Sequence, residues 1–116
     1  MTRTEKEAKE IKELRNGLKR QVSELARLVF EDSLEDFNRK FCMTLEVCHT
    51  HVGLRIHDTN TCDGIENVEM YGLDDIFEPV NFIHPLEGIR RNVKKADIKL
   101  KDMKALFLKY KKLNNK

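Results

Sequence analysis

The chain has 116 residues, 36% of them charged and 40% hydrophobic, with a formal net charge of +2. That is enough for one domain around one core and too little for two independent catalytic domains. No apolar run approaches the roughly 20 residues of a membrane-spanning helix, the opening MTRTEKEAKE lacks the apolar stretch of a secretory signal, and three cysteines without pairwise spacing point to a reducing compartment rather than a disulfide scaffold.

The small net charge hides segregation. Residues 1–41 carry 10 Lys/Arg against 9 Asp/Glu, residues 42–83 carry one (Arg55) against 8, and residues 84–116 carry 11 against 3. A mixed first third, an acidic middle and a basic end imply three structural regimes. The basic end can meet phosphate, or simply the acidic middle of its own chain.

In chain order, residues 4–29 read as a helix. Ile11, Leu14, Leu18, Leu25 and Leu28 recur at coiled-coil spacing, with Gln21 in the vacant slot. A helix this polar on its other faces needs a partner for that stripe, from this chain or another, and the seam is expected to face a second polypeptide. A second stripe, Phe30, Leu34, Phe37 and Phe41, is out of phase with the first, whose next positions are the charged Asp32 and Glu35. The apolar face is therefore expected to rotate onto the chain's own core, with Ser33 and Asp36 capping a fresh helix; one continuous helix with a wide apolar face is the alternative.

From 42 to 83 the period shifts toward two. Met43–Val47 and Val52–Asp58 alternate, with Leu45, Val47, Val52, Leu54 and Ile56 on the inner face and His49-Thr50-His51 as the connection. Thr59–Gly64 reads as a loop. Glu66–Leu73 gives a third strand with Val68 and Met70 inward, Asp74-Asp75 a turn, and Phe77–Phe82 a fourth strand carrying Val80 and Phe82, its Pro79 marking an edge or bulge. The result is a four-stranded antiparallel meander. Pro85 then suits the first turn of a helix. From it Leu86, Ile89, Val93, Ala96, Leu100, Met103, Phe107 and Tyr110 run at unbroken 3-4 spacing.

Candidate chemistry is sparse. Cys42, Cys48, His49, His51, His57 and Cys62 cluster in sequence, but without the spacing of a zinc site. Cys48 and His49 are adjacent, which on a strand sends them to opposite faces and argues against a dyad. Asp74, Asp75, Glu66 and Glu69 read as turn and surface carboxylates. No phosphate-binding glycine motif is present. The pattern predicts a non-enzymatic interaction protein with no cofactor, no metal and no small-molecule substrate. The cations from Arg90 to Lys112 leave nucleic-acid binding as an alternative, though no reading module accompanies them.

The blocks MTLEV, VGLRIHDTN and VEMYGLDDIFEPV, leading into HPLEGI, together resemble the globular head of the Spc-type small subunits of the Ndc-type kinetochore complex, the twenty-five type more than its twenty-four-type partner. Val52–Asn60, Val68–Asp75 and Phe77–Phe82 match three family strands, Pro85-Leu86-Glu87-Gly88-Ile89 the helix start, and Asn92–Lys95 with Ala105-Leu106-Phe107 the closing helices. His57-Asp58 and the loop at 59–65 depart from the pattern.

The resemblance implies an α+β architecture: a coiled-coil helix over 1–40, then an RWD-like head over 41–116 with C-terminal helices on one face. Since the family breaks its closing helix near Lys95–Asp97, two helices are expected after Pro85. It implies a nuclear protein at the centromere and kinetochore, paired with a sister subunit through coil and head. That pair would join a rod-shaped complex to inner-kinetochore receptor peptides, without a membrane or direct nucleic-acid role. Arg90, Arg91, Lys94 and Lys95 are the cations expected to read a receptor peptide's acids. Another RWD-type scaffold, monopolin-like or of the ubiquitin pathway, is the remaining alternative.

Overall fold

A computed structural model describes residues 3–35, 39–48, 50–73, 76–77 and 85–115, with the side chains of Arg3, Thr4 and Pro85 excepted. The chain is α+β. Helix α1 (Arg3–Ser33) is followed by strands β1 (Phe41–Val47), β2 (His51–Asp58) and β3 (Gly64–Tyr71), and then by helix α2 (Pro85–Asn114). The strands form one antiparallel sheet in the order β1-β2-β3. Of the expected fourth strand, residues 78–82 lie outside the described residues, as do Asp74 and Asp75 of the expected turn.

The period-two reading sets the sheet's faces. Val47 pairs with Val52, Leu45 with Leu54 and Met43 with Ile56; on the other side Met70 faces Val52 and Val68 faces Leu54. One face is thus apolar, as expected of an antiparallel sheet packed on one side. Val47, at the end of β1, stays half-exposed. Cys48 N–H donates to His51 O at 2.9 Å, closing the β1–β2 hairpin. Asp58 Oδ1 accepts from the backbone N–H groups of Asn60 (2.8 Å) and Thr61 (3.0 Å), which organises the next loop. Those two amide hydrogen bonds hold the Asp58 carboxyl below its ordinary range.

α2 is one unbroken helix, not two. Asp97, at the expected break, sits inside it, accepting from Lys101 Nζ at 2.9 Å and from the Gln21 side-chain amide. The physical reason is the uninterrupted seam: Ile89, Ala96, Leu100, Met103, Phe107 and Tyr110 are all buried, so a break at Lys95–Asp97 would pull apart a continuous apolar contact. Together with Leu18, Leu25 and Val29 of α1 and Met43, Val52, Leu54, Ile56 and Met70 of the sheet, the stretch of this seam from Ala96 to Tyr110 makes a single core. α1 therefore shares one core with the sheet and α2.

The two helices run parallel. Glu10 pairs with Arg90 and Glu24 with Lys104, so both helices advance 14 residues between bridges. Of the seam Ile11, Leu14, Leu18, Leu25, Leu28, for which a second polypeptide was expected, Leu14, Leu18 and Leu25 lie beside α2 of the same chain; Leu18 and Leu25 are buried, the other three half-buried. Nor does the apolar face rotate at Phe30. Phe30 and Leu34 are 64% and 69% exposed, while Val29 and Asp32 continue the first stripe into the core. Asp32 can be buried because Arg39 reaches back to it, Nη1 lying 2.6 Å from Oδ2. Ser33 ends α1 rather than starting a helix, its Oγ donating to Phe30 O at 2.6 Å. Phe37 and Asp36 lie outside the described residues.

Asn114, one turn beyond Tyr110 on the same seam, ties the end of α2 to the start of β1. Its Oδ1 accepts from Lys40 N–H (3.1 Å) and Phe41 N–H (2.9 Å), and its Nδ2 donates to Phe41 O at 2.9 Å. Asn114→Ala removes all three partners and is expected to cost about 2 kcal/mol, read as a lower urea midpoint with unchanged slope. Tyr110 donates its hydroxyl to Glu66 and packs edge-on against Phe41. That hydrogen bond, with burial and the Glu66 charge, pushes the phenol up to about 12. A raised phenol pKa means the contribution is complete below the ordinary value near 10 and is lost as pH rises toward about 12. Ultraviolet titration should show a late-ionising tyrosine that disappears in Tyr110→Phe.

Candidate interaction site

The most site-like feature lies between the end of β3 and the middle of α2. Gly72, with φ of +74°, takes the left-handed conformation that turns the chain out of β3. Leu73 N–H then donates to Thr50 O at 3.1 Å, and Ile76 folds back, buried, under α2. Asn92 Nδ2 donates to Ile76 O at 3.2 Å and fixes that return. Between these elements is a cleft of about 230 Å³ with Met70, Ile76 and Ala96 on its floor and Tyr71, Lys95 and Lys99 at its edge. Lys95 and Lys99 are one turn apart on α2 and both exposed. Two ammonium groups beside an apolar floor suit a peptide that offers an apolar anchor and neighbouring carboxylates.

The four expected contact cations do not act together. Lys95 edges the cleft. Arg90 is held by Glu10 in a bidentate pair, Nε to Oε1 and Nη2 to Oε2, both at 2.7 Å. That pair lowers the Glu10 carboxyl and raises the guanidinium. Arg90 thus serves the α1–α2 contact. Lys94 borders a separate gap between the helices at Gly17, about 350 Å³, where the missing side chain leaves α1 and α2 apart. Arg91 is exposed on α2. Sequence reasoning missed Lys99 as the partner of Lys95, although their i, i+4 spacing was legible.

The sheet's solvent face carries a second polar cluster, centred on Gly53. Glu46 and Glu69 are its cross-strand partners, with His51 and Arg55 before and after it on β2. The imidazole lies buried over Gly53 and stacks on Tyr71, with centroids 4.5 Å apart and planes at 16°. Nδ1 is 3.9 Å from Glu46 and Nε2 3.9 Å from Glu69. Arg55 Nη2 approaches the same carboxylates at 3.6 and 3.5 Å. The Tyr71 hydroxyl donates to Glu69 and, with the Asn67 side chain, His51 and Arg55, holds that carboxyl below its ordinary range. Two positions apart in sequence, Cys48 and Thr50 meet at 3.5 Å, which lowers the exposed thiol. Among the described residues no three His, Cys, Asp or Glu side chains converge as a bound metal requires, and His49 lies outside them.

Comparison of the chain with protein-family models, with curated proteins and with solved structures finds no match.

Gly53 is required by the ring above it: a Cβ there would stand 2.9 Å from His51 Nε2 and 3.3 Å from Glu69 Cγ. Gly53→Ala is expected to cost about 1–2 kcal/mol in urea unfolding, and much of that loss should vanish in the Gly53→Ala/His51→Ala double variant. Equal losses in both backgrounds would mean that the imidazole is not the obstacle.

Proposed function

We propose that the chain is a non-catalytic adaptor of the Spc type, which pairs with a sister subunit and holds acidic helical peptides of inner-kinetochore proteins. The observation that carries the docking role is the cleft of Met70, Ile76 and Ala96 edged by Lys95 and Lys99. An apolar floor lets a peptide bury an anchor, and the two cations select a partner with carboxylates beside that anchor. The kinetochore assignment rests on the sequence resemblance at MTLEV, VGLRIHDTN and VEMYGLDDIFEPV with HPLEGI. The order helix, antiparallel meander, helix is compatible with it. The receptor-peptide role falls to Lys95 and Lys99, since Arg90 already holds Glu10.

The decisive experiment is co-expression with candidate Spc-type sister subunits followed by light scattering, where a one-to-one complex is expected. Within that complex, Lys95→Glu/Lys99→Glu should leave the pairing intact and weaken capture of an acidic receptor peptide about tenfold by calorimetry. Absence of a complex with any sister candidate would refute the kinetochore assignment, and unaltered peptide affinity would refute the role of the cleft.

A further inference from the structure

α2 carries two stripes at 3-4 spacing. The first is the buried seam. The second runs along the outer side of the helix: Arg91, Lys94, Ile98, then Lys101, Ala105, Leu108 and Lys112, and every one of these side chains is exposed, with Lys94 and Lys101 at its α1-side edge, bordering gaps between the helices. Ile98 and Leu108, 53% and 46% exposed, are among the largest apolar side chains the described surface leaves in water. The stripe spans 22 residues from Arg91 to Lys112, about 32 Å between its ends at helical rise. An apolar centre at coiled-coil spacing is what a pairing helix needs. Cations at both ends and in the middle state which helix. Arg91, Lys94 and Lys112 have no ion-pair partner among the described residues, while Lys101 has only the local Asp97.

From this arrangement we infer that the back of α2 is a pairing face for an acidic amphipathic helix of a partner protein. The partner's apolar ridge covers Ile98, Ala105 and Leu108, and its Glu or Asp side chains meet Arg91, Lys94, Lys101 and Lys112. Charge complementarity selects this occupant. A second copy of the chain would bring the same basic stripe against itself, and a nucleic acid would make no use of the three apolar side chains in register. The inference rests on the adaptor reading and moves the pairing face from α1, where Leu14, Leu18 and Leu25 already lie beside α2, to the outside of α2.

The test uses the full chain and two synthetic 28-residue helical peptides with identical leucine spacing, one flanked by glutamate and one by lysine, together with a duplex DNA. The glutamate peptide should bind, the lysine peptide and the DNA should not, and Ile98→Lys/Leu108→Lys should weaken the glutamate peptide by about tenfold or more. Both substituted side chains are exposed, so the urea midpoint should hold. Should that variant unfold, Lys94→Glu/Lys112→Glu, which changes only surface charge, should cause a comparable loss. Equal binding of both peptides, tight binding of duplex DNA, self-association of the chain alone, or unchanged affinity in either variant would overturn the inference. Loss of glutamate-peptide binding in Lys95→Glu/Lys99→Glu but not in Ile98→Lys/Leu108→Lys would move the site to the cleft and overturn it too. A sister complex that survives Ile98→Lys/Leu108→Lys defeats this inference alone. Failure of every sister candidate alongside specific glutamate-peptide binding defeats only the kinetochore assignment.

Discussion

The buried face of α2 is the contact on which the rest of the structure depends. Ala96, Leu100, Met103, Phe107 and Tyr110 lie in one line and touch both the sheet and α1. A three-stranded sheet of this size cannot bury its apolar face unaided. α1 alone offers a narrow ridge interrupted by Gly17 and Gln21. Each becomes stable only by closing on α2, which makes the helix the common wall of two interfaces.

Charge then decides orientation. Apolar ridges pack in either direction, but Glu10 with Arg90 and Glu24 with Lys104 favour the parallel arrangement in one register. Exposed pairs of this kind add little stability; their contribution is specificity. Polar contacts do the same work at the opposite end. Asn114 pins α2 to β1, and Arg39 compensates the buried Asp32 carboxylate where the chain leaves α1. These contacts place β3 and the segment after it against α2, and so form the cleft beside Lys95 and Lys99.

The basic character of the last third acquires a division of labour in the fold. Arg90 and Lys104 hold α1. Lys95 and Lys99 edge an apolar cleft. Arg91 and Lys112 lie exposed on the stripe of Ile98 and Leu108, with Lys94 and Lys101 at its edge toward α1. A run of lysines that reads as one phosphate-binding stripe in sequence is thus three surfaces on a helix. The separation matters for function, because a cation already paired within the chain is a poor anchor for a ligand, whereas one beside exposed apolar area gains from excluding water around a partner's carboxylate.

By itself the sequence determined most of the elements whose burial follows a local period: the inward residues of β2 and β3 and the seam of α2 from Ile89 to Tyr110, whereas in β1 the expected Val47 stays half-exposed and Met43 is the buried residue. Periodicity records which side of an element is apolar, and it does so without reference to what lies opposite. Only the tertiary structure decided what each apolar side meets. The α1 ridge lies against α2 of its own chain because a matching seam stands some 80 residues away with complementary charges. Phe30 and Leu34 are left outside because Asp32, charged and therefore read as outward, is neutralised by Arg39 and stays in the core. The cleft, the imidazole over Gly53 and the clamp at Asn114 join residues distant in sequence or fixed by strand register, and no local pattern encodes those meetings.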